Sequence, residues 1–124
     1  MAIRVTLLLK RKPGMTRAQF NEYWGTHHAR IFTGLKAVRA NLVRYNQFHI
    51  LPEESNCLAN VGWRAAPYDG AADFFVEKLE DLLSLFGGEE YQKAAVPDEV
   101  QFLDRGSVEV LVGRDQVKYS KETP

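Results

Sequence analysis

The sequence predicts an α+β fold in the order β-α-β-β-α-β, and three observations carry that expectation. Four short runs alternate apolar and polar residues at period two, two longer stretches repeat at steps of three and four, and turn-forming residues separate them. Residues 2–11 place Ile3, Val5, Leu7 and Leu9 on one face and Arg4, Thr6, Leu8 and Lys10 on the other, as a strand with two usable faces. Pro13-Gly14 breaks it, and Thr16 with Gln19 forms a capping box that opens a helix. The helix is expected to run to about His28 and to continue in a short piece to Gly34. Residues 41–50 are β-prone, with Val43, Tyr45, Gln47 and His49 on one face. Pro52 to Asn56 reads as a polar turn, and residues 58–65 alternate through Val61, Trp63 and Ala65 as a third strand.

Asp69-Gly70 then opens a second helix in which Ala72, Phe75, Val76, Leu79, Leu82, Leu83 and Phe86 recur at helical spacing, and Gly87-Gly88 stops it. A helical turn over residues 89–95 ends before Pro97, and the last strand covers about 107–112, with Val108, Val110 and Val112 alternating. This order is the ferredoxin-like split βαβ arrangement, a four-stranded antiparallel sheet with both helices on one face. Leu8 and Leu111 stand on the strand faces opposite the other apolar residues, so those strands are apolar on both sides. One domain supplies a single helical layer, so the open sheet face is expected to be covered by a second copy in a homodimer.

A chain of 124 residues is long enough for one domain with its own core. We assign residues 1–113 to that domain and 114–124 to a polar tail. Lys plus Arg and Asp plus Glu both number 16, which gives no charge excess to recruit nucleic acid. No apolar run approaches the ~20 residues that span a bilayer, so no membrane partner is expected. The N-terminal apolar stretch is too short and too alternating for a signal peptide, and a cytoplasmic location is expected. The single cysteine, Cys57, excludes an intramolecular disulfide and a multi-cysteine metal site.

The chemistry-bearing residues are the three histidines. On an ideal helix, Phe20, Tyr23, Trp24, His27, His28 and Ile31 share one stripe, so both imidazoles continue an apolar face. A sheltered imidazole titrating near neutrality suits acid–base work, although a helix-end histidine can also serve by packing and by complementing the helix dipole. His49 shares a strand face with Tyr45, ~13 Å away at the rise of a strand, far enough to line one elongated pocket. Adjacent histidines on a helix diverge by ~100° and rarely ligate one ion, and no metal-binding spacing supports them, so no metal is expected. Gly87-Gly88 is a helix stop and no glycine-rich phosphate loop is present. Asp98, Glu99, Asp104 and Arg105 are expected to hold the approach to the final strand by ion pairs.

The stretch LLKRKPGMTRAQFNEYWGTHHARIF, residues 8–32, resembles the EthD family of the dimeric α+β barrel superfamily. The match lies in the strand ending Lys-Arg, the Pro-Gly turn, the Thr cap, Phe20, Tyr23-Trp24 and the histidine four residues later, His28. Tyr45-Asn46-Gln47-Phe48-His49, Tyr68-Asp69-Gly70 and Pro97-Asp98-Glu99 through Asp104 resemble a fungal branch associated with aromatic polyketide pathways. The resemblance implies a pocket between sheet and helices, His28 as an acid–base catalyst and His49, by position, as its partner. It further implies non-oxidative decarboxylation of an anthraquinone-type polyketide acid without a cofactor. Trp24, Tyr45, Phe48 and Trp63 would stack on the ligand, and His27 would orient or wall the pocket. A cyclase or dehydratase on the same scaffold, or a non-catalytic binding protein for a hydrophobic aromatic intermediate, stands beside it.

Overall fold

The computed structural model describes residues 1–122; of the polar tail expected over 114–124, residues 123 and 124 lie outside the described residues. Strand β1 (Ile3–Leu9) ends at the Pro13-Gly14 turn, where Gly14 takes φ +87°, a left-handed conformation that costs glycine little. The Thr16 hydroxyl accepts from the Gln19 N–H at 3.1 Å and the Gln19 side chain accepts from the Thr16 N–H at 2.9 Å. That capping box starts α1 (Arg17–Glu22). The helix continues without a break as a π-helical segment (Tyr23–His28) and then as α2 (Ala29–Thr33).

The π segment positions the site. Phe20, Trp24, His28 and Phe32 are all buried, at strict four-residue steps. On an α-helix of 3.6 residues per turn such a row drifts about 40° per step. The wider π turn, in which the Ala29 N–H reaches back to the Trp24 carbonyl, returns these residues to one face. Tyr23 and His27, which the ideal-helix stripe placed with them, instead lie towards the rim.

After α3 (Lys36–Asn41) come β2 (Arg44–His49), α4 (Pro52–Ala59), β3 (Gly70–Val76), α5 (Leu79–Gly87) and α6 (Glu89–Glu99). A single 3₁₀ turn (Arg105–Ser107) leads into β4 (Glu109–Gly113). The sheet is antiparallel throughout, in the order β2-β3-β1-β4, as the ferredoxin-like order requires. Val5, Leu9, Ala72, Phe74 and Val76 form one core with Phe20, Trp24, Phe32, Leu82, Leu85 and Tyr91.

Four expected elements are corrected. Residues 58–65 are not the third strand: α4 ends at Ala59 and Trp63 sits in the loop that follows. Pro52 to Asn56 is the start of α4, with Pro in the first turn and Glu53 and Glu54 beside the positive end of the dipole. The true third strand, β3, lies inside the stretch read as the second helix. As a central strand it is buried on both faces, and such an apolar run fits a helical or a strand period equally well. Finally, α6 runs through Pro97 rather than ending before it. No helix among the described residues is long and apolar enough to cross a membrane.

The sheet face away from the helices carries a polar centre. Thr6 donates to Asp73 at 2.6 Å, and the Arg4 guanidinium reaches both Asp73 oxygens at 3.2 Å and Asp115 of the tail at 3.0 Å. Apolar groups flank it: Phe75 lies between Arg4 and Arg44, and Phe48 and Leu111 are exposed.

Candidate active site

His28 ends the π segment and is buried, with its ring against Phe102 at 4.8 Å between centroids. Its Nδ1 lies 2.8 Å from Oδ2 of Asp98, which is also buried. With Nδ1–H donating to the carboxylate, the neutral imidazole carries its lone pair on Nε2. Asp98 Oδ1 accepts from the Tyr23 hydroxyl at 2.5 Å and faces His27 Nδ1 at 3.2 Å. Burial, reinforced by the hydrogen bond to Asp98, pushes the Tyr23 phenol up to about 12, so it stays a donor at neutral pH. One carboxylate thus gathers three side chains of the π segment, and its own position depends on α6 continuing past Pro97.

His28 faces a small internal cavity of about 30 Å³, lined also by Trp24, Tyr45, Tyr91, Glu99 and Phe102. That space holds one or two water molecules, so a fused-ring ligand enters only if the lining side chains part. Glu99 accepts from the Tyr91 hydroxyl and forms an ion pair with Arg105, whose Nε lies 3.1 Å from its carboxylate. Burial and the Glu99 carboxylate raise the Tyr91 phenol far above its ordinary value. The Tyr45 hydroxyl accepts from Gln47 Nε2 at 3.0 Å, and burial is the main cause that pushes its phenol up to about 12.

The other candidates fall elsewhere. His49 does not line the cavity; its ring stacks on the Trp24 indole at 4.6 Å between centroids. Gln47 Nε2 donates to the Trp24 carbonyl at 2.9 Å, which leaves Gln47 Oε1 to accept from His49 Nε2, also at 2.9 Å. His49 therefore orients Gln47, and Gln47 holds the Tyr45 hydroxyl. His28 meets Asp98 where the sequence paired it with His49. The His27 side chain is 55% exposed and lines an open groove of about 820 Å³ on the outer side of the helix, with Met15, Ala18 and Tyr23. Phe48, 58% exposed, points to the opposite sheet face, since its parity opposes that of Tyr45; Trp63, 71% exposed, is remote in the loop after α4.

Sequence reasoning missed Asp98, Glu99, Tyr91 and Tyr23 as site residues. The available signal was the pair of acids next to Pro97, which tertiary contacts alone convert into buried hydrogen-bond acceptors. Among the described residues, no three His, Cys, Asp or Glu side chains cluster as a metal site.

Burial lowers the His49 imidazole below its ordinary value. The folded chain therefore favours the neutral ring, while the unfolded chain takes up the proton first as pH falls. Stability is complete above the ordinary imidazole pKa of ~6.5 and declines as pH drops through the lower folded value. His49→Gln is expected to lose less melting temperature than the wild type between about pH 7.5 and about pH 5; identical pH profiles would remove this assignment.

A family model described as the EthD domain matches residues 12–106 of the chain. The chain is 26% identical over 113 residues to the conidial pigment biosynthesis dehydratase EthD of Metarhizium robertsii, covering 88% of this chain and 79% of that protein. Among solved structures, an ethyl tert-butyl ether d (EthD) family protein from Bacillus halodurans superposes with a TM-score of 0.62 at 15% identity, over 94% of this chain and all of that one. A dimeric ferredoxin-like protein of unknown function from Thermobifida fusca superposes with a TM-score of 0.60 at 15% identity, over 91% of this chain and 90% of that one. These likenesses establish the fold.

Proposed function

The chain belongs to the EthD family, and on that premise we propose that it is a cytoplasmic lyase that removes water from a hydroxylated aromatic-polyketide intermediate. The observation that carries this reading is the buried His28–Asp98 pair at the edge of a cavity walled by aromatic and aliphatic side chains and by Glu99. The Metarhizium relative, named a pigment-biosynthesis dehydratase, supports the same reaction class. In a β-hydroxy ketone, His28 Nε2 takes the proton from the carbon next to the carbonyl, and the electron pair moves onto the carbonyl oxygen. The enolate then expels hydroxide from the β carbon, and the imidazolium returns its proton to that hydroxide as water. One carbon–carbon double bond forms and one water leaves, with no change in oxidation state. Asp98 holds the Nδ1–H tautomer throughout and stabilises the imidazolium.

Dehydration is preferred to the decarboxylation expected from the sequence because of charge. No Lys or Arg lines the cavity among the described residues, whereas Glu99 does. A substrate carboxylate would enter beside a buried carboxylate with no cation to anchor it.

The purified protein, incubated with 3-hydroxy-1-tetralone, is expected to form 1-naphthol and water faster than buffer does. Carbon dioxide release from aromatic acids, with no dehydration, would replace this reading by decarboxylation; ring closure without loss of water would indicate a cyclase. Saturable binding of an unchanged ligand would indicate an accessory protein.

The same reading takes the working form as a homodimer joined through the open sheet faces. Phe48, Leu111 and the Arg4–Asp73 centre would be covered there, and the Thermobifida neighbour is described as dimeric. A stable monomer in sedimentation at micromolar concentration would defeat that part.

A further inference from the structure

We propose that Tyr45 and Tyr91 select the substrate by reading a carbonyl and a hydroxyl together, Tyr45 donating to the carbonyl and Tyr91 accepting from the hydroxyl. The inference rests on the dehydratase reading and adds the substrate class, a β-hydroxy ketone presented on a fused-ring skeleton. Both tyrosines line the cavity, and both rings pack against Phe32, with centroids at 4.7 and 6.4 Å. Their hydrogen-bonding states are complementary. The Tyr45 oxygen accepts from Gln47, and its own hydrogen has no acceptor among the described residues. A sheltered donor without a partner is costly, and a ligand carbonyl would satisfy it. The Tyr91 hydrogen is committed to Glu99, which Arg105 secures from the surface, so the Tyr91 oxygen is left to accept.

The arrangement also serves the reaction. The donor at Tyr45 meets the oxygen on which negative charge develops, a position where a fixed donor favours the transition state. The His49–Gln47 relay keeps Gln47 donating to Tyr45, so the Tyr45 hydrogen is not spent on Gln47. Neither tyrosine takes part in the proton transfer assigned to His28, so ligand recognition and chemistry can be separated by experiment.

Two unreactive halves of 3-hydroxy-1-tetralone provide the probes: 1-tetralone, which keeps only the carbonyl, and 2-tetralol, which keeps only the hydroxyl. In calorimetric titrations, Tyr45→Phe is expected to weaken 1-tetralone about three- to tenfold and leave 2-tetralol unchanged. Tyr91→Phe is expected to do the reverse, and Glu99→Gln supplies a second variant on that side should Tyr91→Phe melt early. Equal weakening of both probes by both variants, no change in either, or no saturable binding to the wild type would each overturn the tyrosine pair. His28→Ala distinguishes the two readings. If it abolishes turnover of 3-hydroxy-1-tetralone while the crossed binding pattern is missing, the tyrosine pair alone fails. If the wild type gives no turnover and the pattern is present, the dehydratase reading alone fails; if turnover survives in His28→Ala with the pattern present, only the base role of His28 fails.

Discussion

Asp98→Asn is expected to lower turnover at least ~10²-fold while the protein remains folded, and His28→Ala to lower it by as much or more. The reason lies in the direction of one proton. Asp98 offers His28 Nδ1 only an acceptor, which places the lone pair on Nε2 at the cavity. An asparagine can turn its amide so that the NH₂ group donates to Nδ1, which moves the ring proton to Nε2 and removes the base. In serine proteases the corresponding change costs ~10⁴-fold in turnover, so ~10² is the low end of what such a pair supplies. The two side chains act as a unit, so the double variant is expected to lose little beyond the worse single one. The amide of the Asp98→Asn variant still offers an oxygen to Tyr23 and His27, which limits the structural damage; breaking the buried bond costs about 1–3 kcal/mol. Steady-state rates on variants checked by circular dichroism decide the matter. A folded Asp98→Asn protein with wild-type turnover would end the dyad assignment.

What was legible in the sequence was local. The capping box of Thr16 and Gln19, the turn at Gly14 and the burial of Phe20, Trp24 and His28 depend on residues a few positions apart, and the structure contains each of them. The strand order was legible through topology even though one strand was misplaced. Residues 58–65 and 70–76 compete for the same slot between β2 and α5, and either choice yields β-α-β-β-α-β. The correct choice depends on burial from both sides, a property of the assembled sheet that period alone does not encode. The candidate site was legible on one side only. His28 and Trp24 announce themselves by spacing, but Asp98 lies 70 residues from His28 and beyond a proline that normally marks a helix end. His49 misled for the converse reason: its strand parity with Tyr45 is correct, yet the indole of Trp24 occupies the space its ring would need to face the cavity.

Trp24→Ala is expected to destabilise the fold by about 3–5 kcal/mol, the range for emptying a buried aromatic site. The indole is buried, packs on Phe20 at 5.4 Å and His49 at 4.6 Å, and the residue lends its carbonyl to the π segment and to Gln47. It fits because residue 70 is glycine. A Cβ added at Gly70 would stand 2.5 Å from the indole Cζ3, 2.9 Å from Cη2 and 3.2 Å from the Phe48 carbonyl oxygen. The first two distances demand that the ring move, so Gly70→Ala is expected to cost about 1–3 kcal/mol by overpacking. Trp24→Phe deletes the two ring atoms concerned, and in that background Gly70→Ala should cost less. Urea denaturation of the four proteins closes the cycle, with an expected coupling of about 0.5–3 kcal/mol in the favourable direction. Additivity within about 0.5 kcal/mol would mean that the indole is not seated by Gly70. The same contact bears on the cavity, because Trp24 is one of its walls. An indole pushed off Gly70 has Phe20 and His49 against it, so the displacement is expected to disturb the His49–Gln47–Tyr45 relay before it reaches the His28–Asp98 pair.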